Sequence, residues 1–240
     1  MHGLIDAARA PRKGELRKRG LCCRERDLAT LSPARYPSVM SRAAHWDRVY
    51  AGKAEAELSW TQAEPAMSLA LIEEVASAGA RVIDVGGGTS PLAERLLDRG
   101  YAVAVLDIST QAIERARQRM GERALRVQWI VADVTAEPDL SGFDVWHDRA
   151  VFHFLVDRPD RQTYAALMKR ALRPGGCAII ATFALDGPAK CSGLPVQRYD
   201  ATALAAELGA EFELIRTIPQ THQTPWGKPQ AFQYSLLRRL

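Results

Sequence analysis

From residue 81 to residue 184, short apolar runs alternate with helix-length amphipathic stretches, and this alternation is the strongest constraint on the fold. Strands are expected over 81–85, 102–107 and 127–133, and their near-continuous Val/Ile runs at 81–85, 102–106 and 127–131 suit burial on both faces. Residues 143–148 and 177–184 read as two further strands. Helices are expected over 90–99, 110–120 and 158–172, closed by Gly100, by Gly121 and by Pro174-Gly175-Gly176. A short helix carrying Trp46 and Tyr50, and a second one after Pro65 that ends at Gly79, precede the first strand. Strands alternating with helices imply a parallel, doubly wound α/β sheet. Asp200 is placed to cap a helix over 201–208. The last two β-like runs, 212–218 and 230–237, lie too close together for a crossover helix, so they are expected to be antiparallel. The expected architecture is Rossmann-like, with five parallel strands and a C-terminal antiparallel hairpin.

The chain has 240 residues, 47% hydrophobic and 25% charged, which suits one α/β domain with appendages. No apolar run approaches the roughly 20 residues that span a bilayer, and no membrane partner is expected. Residues 1–39 hold nine Lys or Arg and four acids, whereas the whole chain sums to +4, so the basic character belongs to the leader. That leader shows no periodicity and reads as a disordered extension, or as sequence upstream of a start at Met40. A phosphate-touching arm is the alternative. The folded domain is expected over 40–240, with no nucleic-acid partner. The four cysteines, Cys22, Cys23, Cys177 and Cys191, form no C-x-x-C pair, so neither a metal site nor a disulfide framework is expected. A reducing cytoplasm fits them.

The stretch VIDVGGGTSPLAERLLDRGYAVAVLD places Gly86, Gly87 and Gly88 in the first strand-to-helix turn, where sheets of this kind bind ligands. Asp107 ends the second strand, where a carboxylate accepts hydrogen bonds from two ribose hydroxyls. That pairing is common to nucleosides in general. A dinucleotide fingerprint, G-x-G-x-x-G, would need glycine where Pro91 stands. It would also have an apolar residue at Asp84, whose carboxylate suits an ammonium or sulfonium and repels a pyrophosphate. An NAD-dependent oxidoreductase is therefore disfavoured.

With VIDVGGGTS, VLDIS, VADV, FDVWHDRAVFHFL and LRPGGCAIIATF in order, residues 42–240 resemble the class I S-adenosylmethionine-dependent methyltransferases. The resemblance implies that Asp84, Gly86 and Gly88 line the methionine side of S-adenosylmethionine and that Asp107 takes the ribose. Ile108 packs on adenine, Asp133 accepts from the adenine amino group, and Val134 lies beside it. Capping of the next turn is the alternative for Asp133. Ser90 stands where the family's D-x-G-x-G-x-G pattern has its third glycine.

The fourth motif lacks the N/D-P-P-Y/F pattern of enzymes acting on nucleic-acid bases and glutamine. Instead His147, Asp148, Arg149 and His153 follow the fourth strand, on the cofactor's methyl side. His153 is the first candidate for a base, because a histidine can titrate near neutrality; packing against Phe152 and Phe154 is the alternative. Tyr199, with Cys191 and Arg198, comes from the loop after the fifth strand. Trp46, Tyr50 and Trp60 are candidates for a lid over the cofactor, or for plain core. A W…SW…P segment ahead of the first motif is similar to that of thiol and trans-aconitate methyltransferases, which tilts the acceptor toward a small molecule. A protein lysine methyltransferase is the alternative.

Overall fold

The computed structural model describes residues 40–240; the expected extension over residues 1–39 lies outside the described residues. Helix α1 (Arg42–Gly52) is capped by the Ser41 hydroxyl, which accepts from Ala44 N. Helix α2 (Ala66–Val75) leads into β1 (Arg81–Val85), and α3 (Leu92–Asp98), β2 (Ala102–Asp107), α4 (Thr110–Met120) and β3 (Val127–Val131) follow. Then come β4 (Phe143–Arg149), α5 (Arg158–Ala171) and β5 (Leu172–Phe183). A two-residue hairpin, β6 (Lys190–Cys191) and β7 (Leu194–Pro195), precedes α6 (Ala201–Leu208), β8 (Phe212–Gln223) and β9 (Pro229–Arg239).

The main sheet runs in the order β3-β2-β1-β4-β5-β9-β8. The first five strands pair in parallel, while β9 is antiparallel to both β5 and β8. This is the expected sheet. Strand order reverses between β1 and β4, where Asp84 stands opposite His147 and Val85 opposite Asp148. Such a reversal opens a crevice at the carboxyl ends of the strands.

Side-chain alternation along each strand splits the core in two. Val82, Val103, Val145 and Ile179 face α2 and α3. Ile83, Ala104, Trp146 and Ile180 face α5 and α6. Fully burying an aliphatic side chain in these layers contributes about 1.5–3 kcal/mol. The same alternation decides which way the polar strand ends point. Asp84 shares the face of Val82, and His147 and Arg149 share that of Val145; Asp148 shares the opposite face with Trp146.

Several expected boundaries move, each for a local reason. β3 stops at Val131 and Asp133 instead caps a short turn over Val134–Ala136. β3 is an edge strand, so it is not buried on both faces, and Val131 is 51% exposed. α2 ends at Val75 rather than Gly79, because Ala76 is already extended. β5 begins at Leu172, but its pairing with β4 jumps from Phe143–Leu172 to Val145–Cys177, so Pro174-Gly175-Gly176 bulges out of the ladder. No helix among the described residues is long and apolar enough to cross a membrane.

Candidate active site

The turn after β1 is tied down from below and lined from above. Gly86 has φ +66, and a Cβ there would lie 2.0 Å from Val151 Cγ2. Gly88 has φ +53, and a Cβ there would lie 2.5 Å from the Tyr50 hydroxyl. Both positions need left-handed backbone and a bare face, which only glycine supplies without strain. Ala150, with φ 74, takes the same conformation without being glycine. It turns the chain between Arg149 and Val151, and its amide is held by Ala181 O at 2.9 Å. Strain of this kind concentrates at functional sites.

Beneath the turn, Asp84, His147 and Ser68 form a buried line. His147 Nδ1 lies 2.7 Å from Asp84 Oδ1, and His147 Nε2 lies 2.9 Å from Ser68 Oγ. All three residues are at most 3% exposed. Strand register brings the aspartate and histidine side by side, and the first turn of α2 supplies the serine. The two ring nitrogens thus face a carboxylate on one side and a hydroxyl on the other.

Two cavities open on this layer and meet at Gly86, Trp60 and Arg149, which line both. The first, of about 100 Å³, is walled by Ile108, Val134 and Val151, with the Asp107 and Asp133 carboxylates at its rim. It is narrow because rings cross it. Trp46 meets Trp60 edge to face at 5.9 Å and Phe154 at 5.0 Å. The second, of about 420 Å³, is polar and includes Asp84, Ser68 and His147. α1 is moored beside them: Asp47 Oδ1 accepts from Ser109 Oγ at 2.7 Å and from Gln111 N at 3.1 Å.

Asp107 is 5% exposed, and burial pushes its carboxyl up to about 7, against amide hydrogen bonds from Ser109 and Gly88 that favour the anion. Asp133 Oδ1 accepts from both the amide and the hydroxyl of Thr135, and Oδ2 lies 3.6 Å from Arg42 Nη1. It caps its turn while also lining the cavity. Trp60 lines both cavities.

Three expected site residues sit elsewhere. Asp148 faces α5, where it accepts from Val151 N, Phe152 N and the Tyr164 hydroxyl at 2.8, 3.0 and 2.6 Å. Strand alternation turns it away from both cavities, and burial raises its pKa to about 6. His153 is fully buried between Phe154 and Phe183 and lines neither cavity. Burial first, then the Arg149 charge, pushes its pKa down to about 3, so it is neutral at physiological pH. Tyr199 is 1% exposed, tilted against Phe152 at 5.4 Å, with its hydroxyl pKa raised by burial. Both belong to the core around β4 and β5. Ser68 and Val151 are site residues that the sequence did not mark: each is a small or apolar residue in an ordinary pattern, placed only by packing.

Residues 82–176 match a family of methyltransferase domains. An uncharacterized methyltransferase of Mycobacterium tuberculosis is 33% identical over 116 residues, covering 48% of this chain and 56% of that protein. The chain thus matches about half the length of this curated relative. Among solved structures, one from work on converting a disulfide bond into a thioacetal group during echinomycin biosynthesis superposes with a TM-score of 0.70. It is 24% identical and covers 83% of this chain and 92% of that one. The 1,6-didemethyltoxoflavin-N1-methyltransferase of Burkholderia thailandensis superposes with a TM-score of 0.58 at 23% identity, covering 80% of each chain. Over residues 82–176 the match is to a methyltransferase domain, and the sheet order and the glycine turn agree with it.

Proposed function

We propose that this protein transfers a methyl group from S-adenosylmethionine to a small-molecule acceptor, and that residues 40–240 suffice for it. The observation that carries the reading is the junction of the two cavities at Gly86, between a buried carboxylate at the end of β1 and another at the end of β2. The residues present fit such a donor. Asp107 would take the ribose hydroxyls, Ile108 and Val134 the adenine, and Asp133 its amino group. Gly86 and Asp84 would take the methionine end, with Gly88 leaving room beneath Tyr50.

S-adenosylmethionine supplies a methyl group already activated on a sulfonium, so the protein's task is alignment. Holding two reactants in line can lower the barrier by as much as ~7–11 kcal/mol. The Asp84–His147–Ser68 line fixes one wall and the Trp46–Trp60–Phe154 rings exclude water from the other. His153 is buried and lines neither cavity, so it is set apart from an acceptor held there. The relative from Burkholderia thailandensis was solved with a small acceptor, 1,6-didemethyltoxoflavin, which favours a small acceptor here.

The reading is tested by equilibrium binding of S-adenosylhomocysteine and of NADH to the protein. Tight S-adenosylhomocysteine binding with negligible NADH binding is expected; the reverse sinks it. A screen with labelled donor across thiols, carboxylates and lysine peptides then identifies the acceptor class.

A further inference from the structure

Arg149 ends β4 at the point where the two cavities meet, and its guanidinium is only partly satisfied. Nη1 donates to Trp60 O at 2.9 Å, and Cζ stacks 4.7 Å from the centre of the Phe232 ring. Nε and Nη2 are buried and have no hydrogen-bond partner among the described residues. No carboxylate of the described residues pairs with it, whereas the neighbouring Arg42, Arg119 and Arg161 all have acidic partners. A buried guanidinium that lacks an anion is costly, and a fold keeps one where an anion arrives from outside.

The shape of the free edge narrows the anion. Nε–H and Nη2–H point in parallel and match the two oxygens of one carboxylate. The edge is closed to solvent, so an anion that reaches it leaves water behind, where a charge-assisted pair is stronger. The groups that feel the guanidinium charge are His153, His222 and Cys191. His222 Nε2 already donates to Ser59 O at 2.7 Å, and burial holds the Cys191 thiol protonated. Neither supplies an anion.

Resting on the methyltransferase reading, we propose that Arg149 is a carboxylate-binding site at the cavity junction, and that the carboxylate is the acceptor's. The other source of the same chemistry is the carboxylate of the donor's methionine. The acceptor is favoured because the Phe232 ring that carries the guanidinium belongs to the C-terminal hairpin, as does His222, with His153 in the β4–β5 connection and Cys191 in β6, although Gly86 lines the same junction.

The test measures calorimetric binding to the wild-type chain, Arg149→Gln and Arg149→Lys, with thermal melting to confirm that each is folded. The ligands are S-adenosylhomocysteine, 5′-methylthioadenosine, which lacks the amino-acid carboxylate, and succinate or benzoate in the presence of S-adenosylhomocysteine. The corresponding amides serve as neutral isosteres. Expected is S-adenosylhomocysteine affinity unchanged within about twofold in Arg149→Gln, with carboxylate binding weakened at least about tenfold and amides never bound. Arg149→Lys should fall between, keeping charge but losing the fork. If Arg149→Gln instead weakens S-adenosylhomocysteine and spares methylthioadenosine, the carboxylate site stands and its ligand is the donor. The site is overturned if no ligand distinguishes carboxylate from amide, if inorganic phosphate binds in its place, or if both nucleosides weaken equally. Failure of the wild-type chain to bind S-adenosylhomocysteine would sink the methyltransferase reading itself.

Discussion

His147 Nδ1 lies 2.7 Å from Asp84 Oδ1 across the β4–β1 register, and both residues are buried. A carboxylate enclosed in this way depends on its partner. His147→Phe leaves it without one and should lower unfolding stability by about 2–4 kcal/mol, whereas Ser68→Ala should cost about 1 kcal/mol. Urea denaturation of the two variants checks the ranking; equal effects would break the line into unrelated contacts.

The Asp107 carboxyl is raised from its ordinary value of 3.8 to about 7 by burial. Folded chain therefore holds this proton more tightly than unfolded chain, and rising pH between those values costs stability. Over the upper part of the same window the anion that hydroxyls donate to becomes populated. S-adenosylhomocysteine affinity should thus rise with pH up to about 7 and level off above it. Asp107→Asn should flatten the rise and weaken binding by about 1–3 kcal/mol at pH 8. A pH series of calorimetric titrations decides it.

His153 has the opposite sign. Its folded value is pushed down from 6.5 to about 3, so the unfolded chain takes the proton first and stability falls as pH drops below 6.5. His153→Phe should be less acid-sensitive than wild type in paired unfolding curves at pH 5 and pH 7. The pH profile of turnover should keep its shape in that variant; a vanished limb would restore His153 as a base.

Gly86→Ala should weaken S-adenosylhomocysteine binding more than tenfold, because its Cβ would lie 2.0 Å from Val151 Cγ2 at φ +66. Adding Val151→Ala removes the clash but not the backbone strain, so the double variant should recover only part of the affinity. Full recovery would show that the left-handed turn carries no weight.

Deleting residues 1–39 should leave S-adenosylhomocysteine affinity and turnover within about twofold of the full chain, since every residue assigned to the site lies beyond them. Lost turnover would make that basic segment part of the enzyme.

The sheet was legible because its information is local and periodic. Val-rich apolar runs marked β1 and β2 to the residue, and glycines or caps marked α4 and α6. β3 was misjudged because an edge strand and an interior strand can share one pattern, and position in the sheet is not written in the strand itself. The site followed a similar split. The glycine turn, Asp84 and Asp107 stand at strand ends, where spacing alone locates them. His147, Asp148 and Arg149 are consecutive, and only the parity of β4 sends the middle one to α5 and the outer two to the cavity side. His153 looked chemical for its type, but Phe154 and Phe183 enclose it. Ser68 came from a helix with no polar signature, so no sequence rule could have joined it to His147.

β9 is hydrogen-bonded on both sides, by β5 and by β8, although it comes after both in the chain. During synthesis, β5 therefore waits with an open edge from Cys177 to Phe183 until residues 229–239 have left the ribosome. An exposed apolar edge of that length invites pairing with other chains. Phe232, the ring under Arg149, arrives on the strand that closes it. A nascent chain consequently acquires its glycine turn early and its ring platform for the guanidinium last, so the completed sheet and a competent pocket should emerge in the same late event.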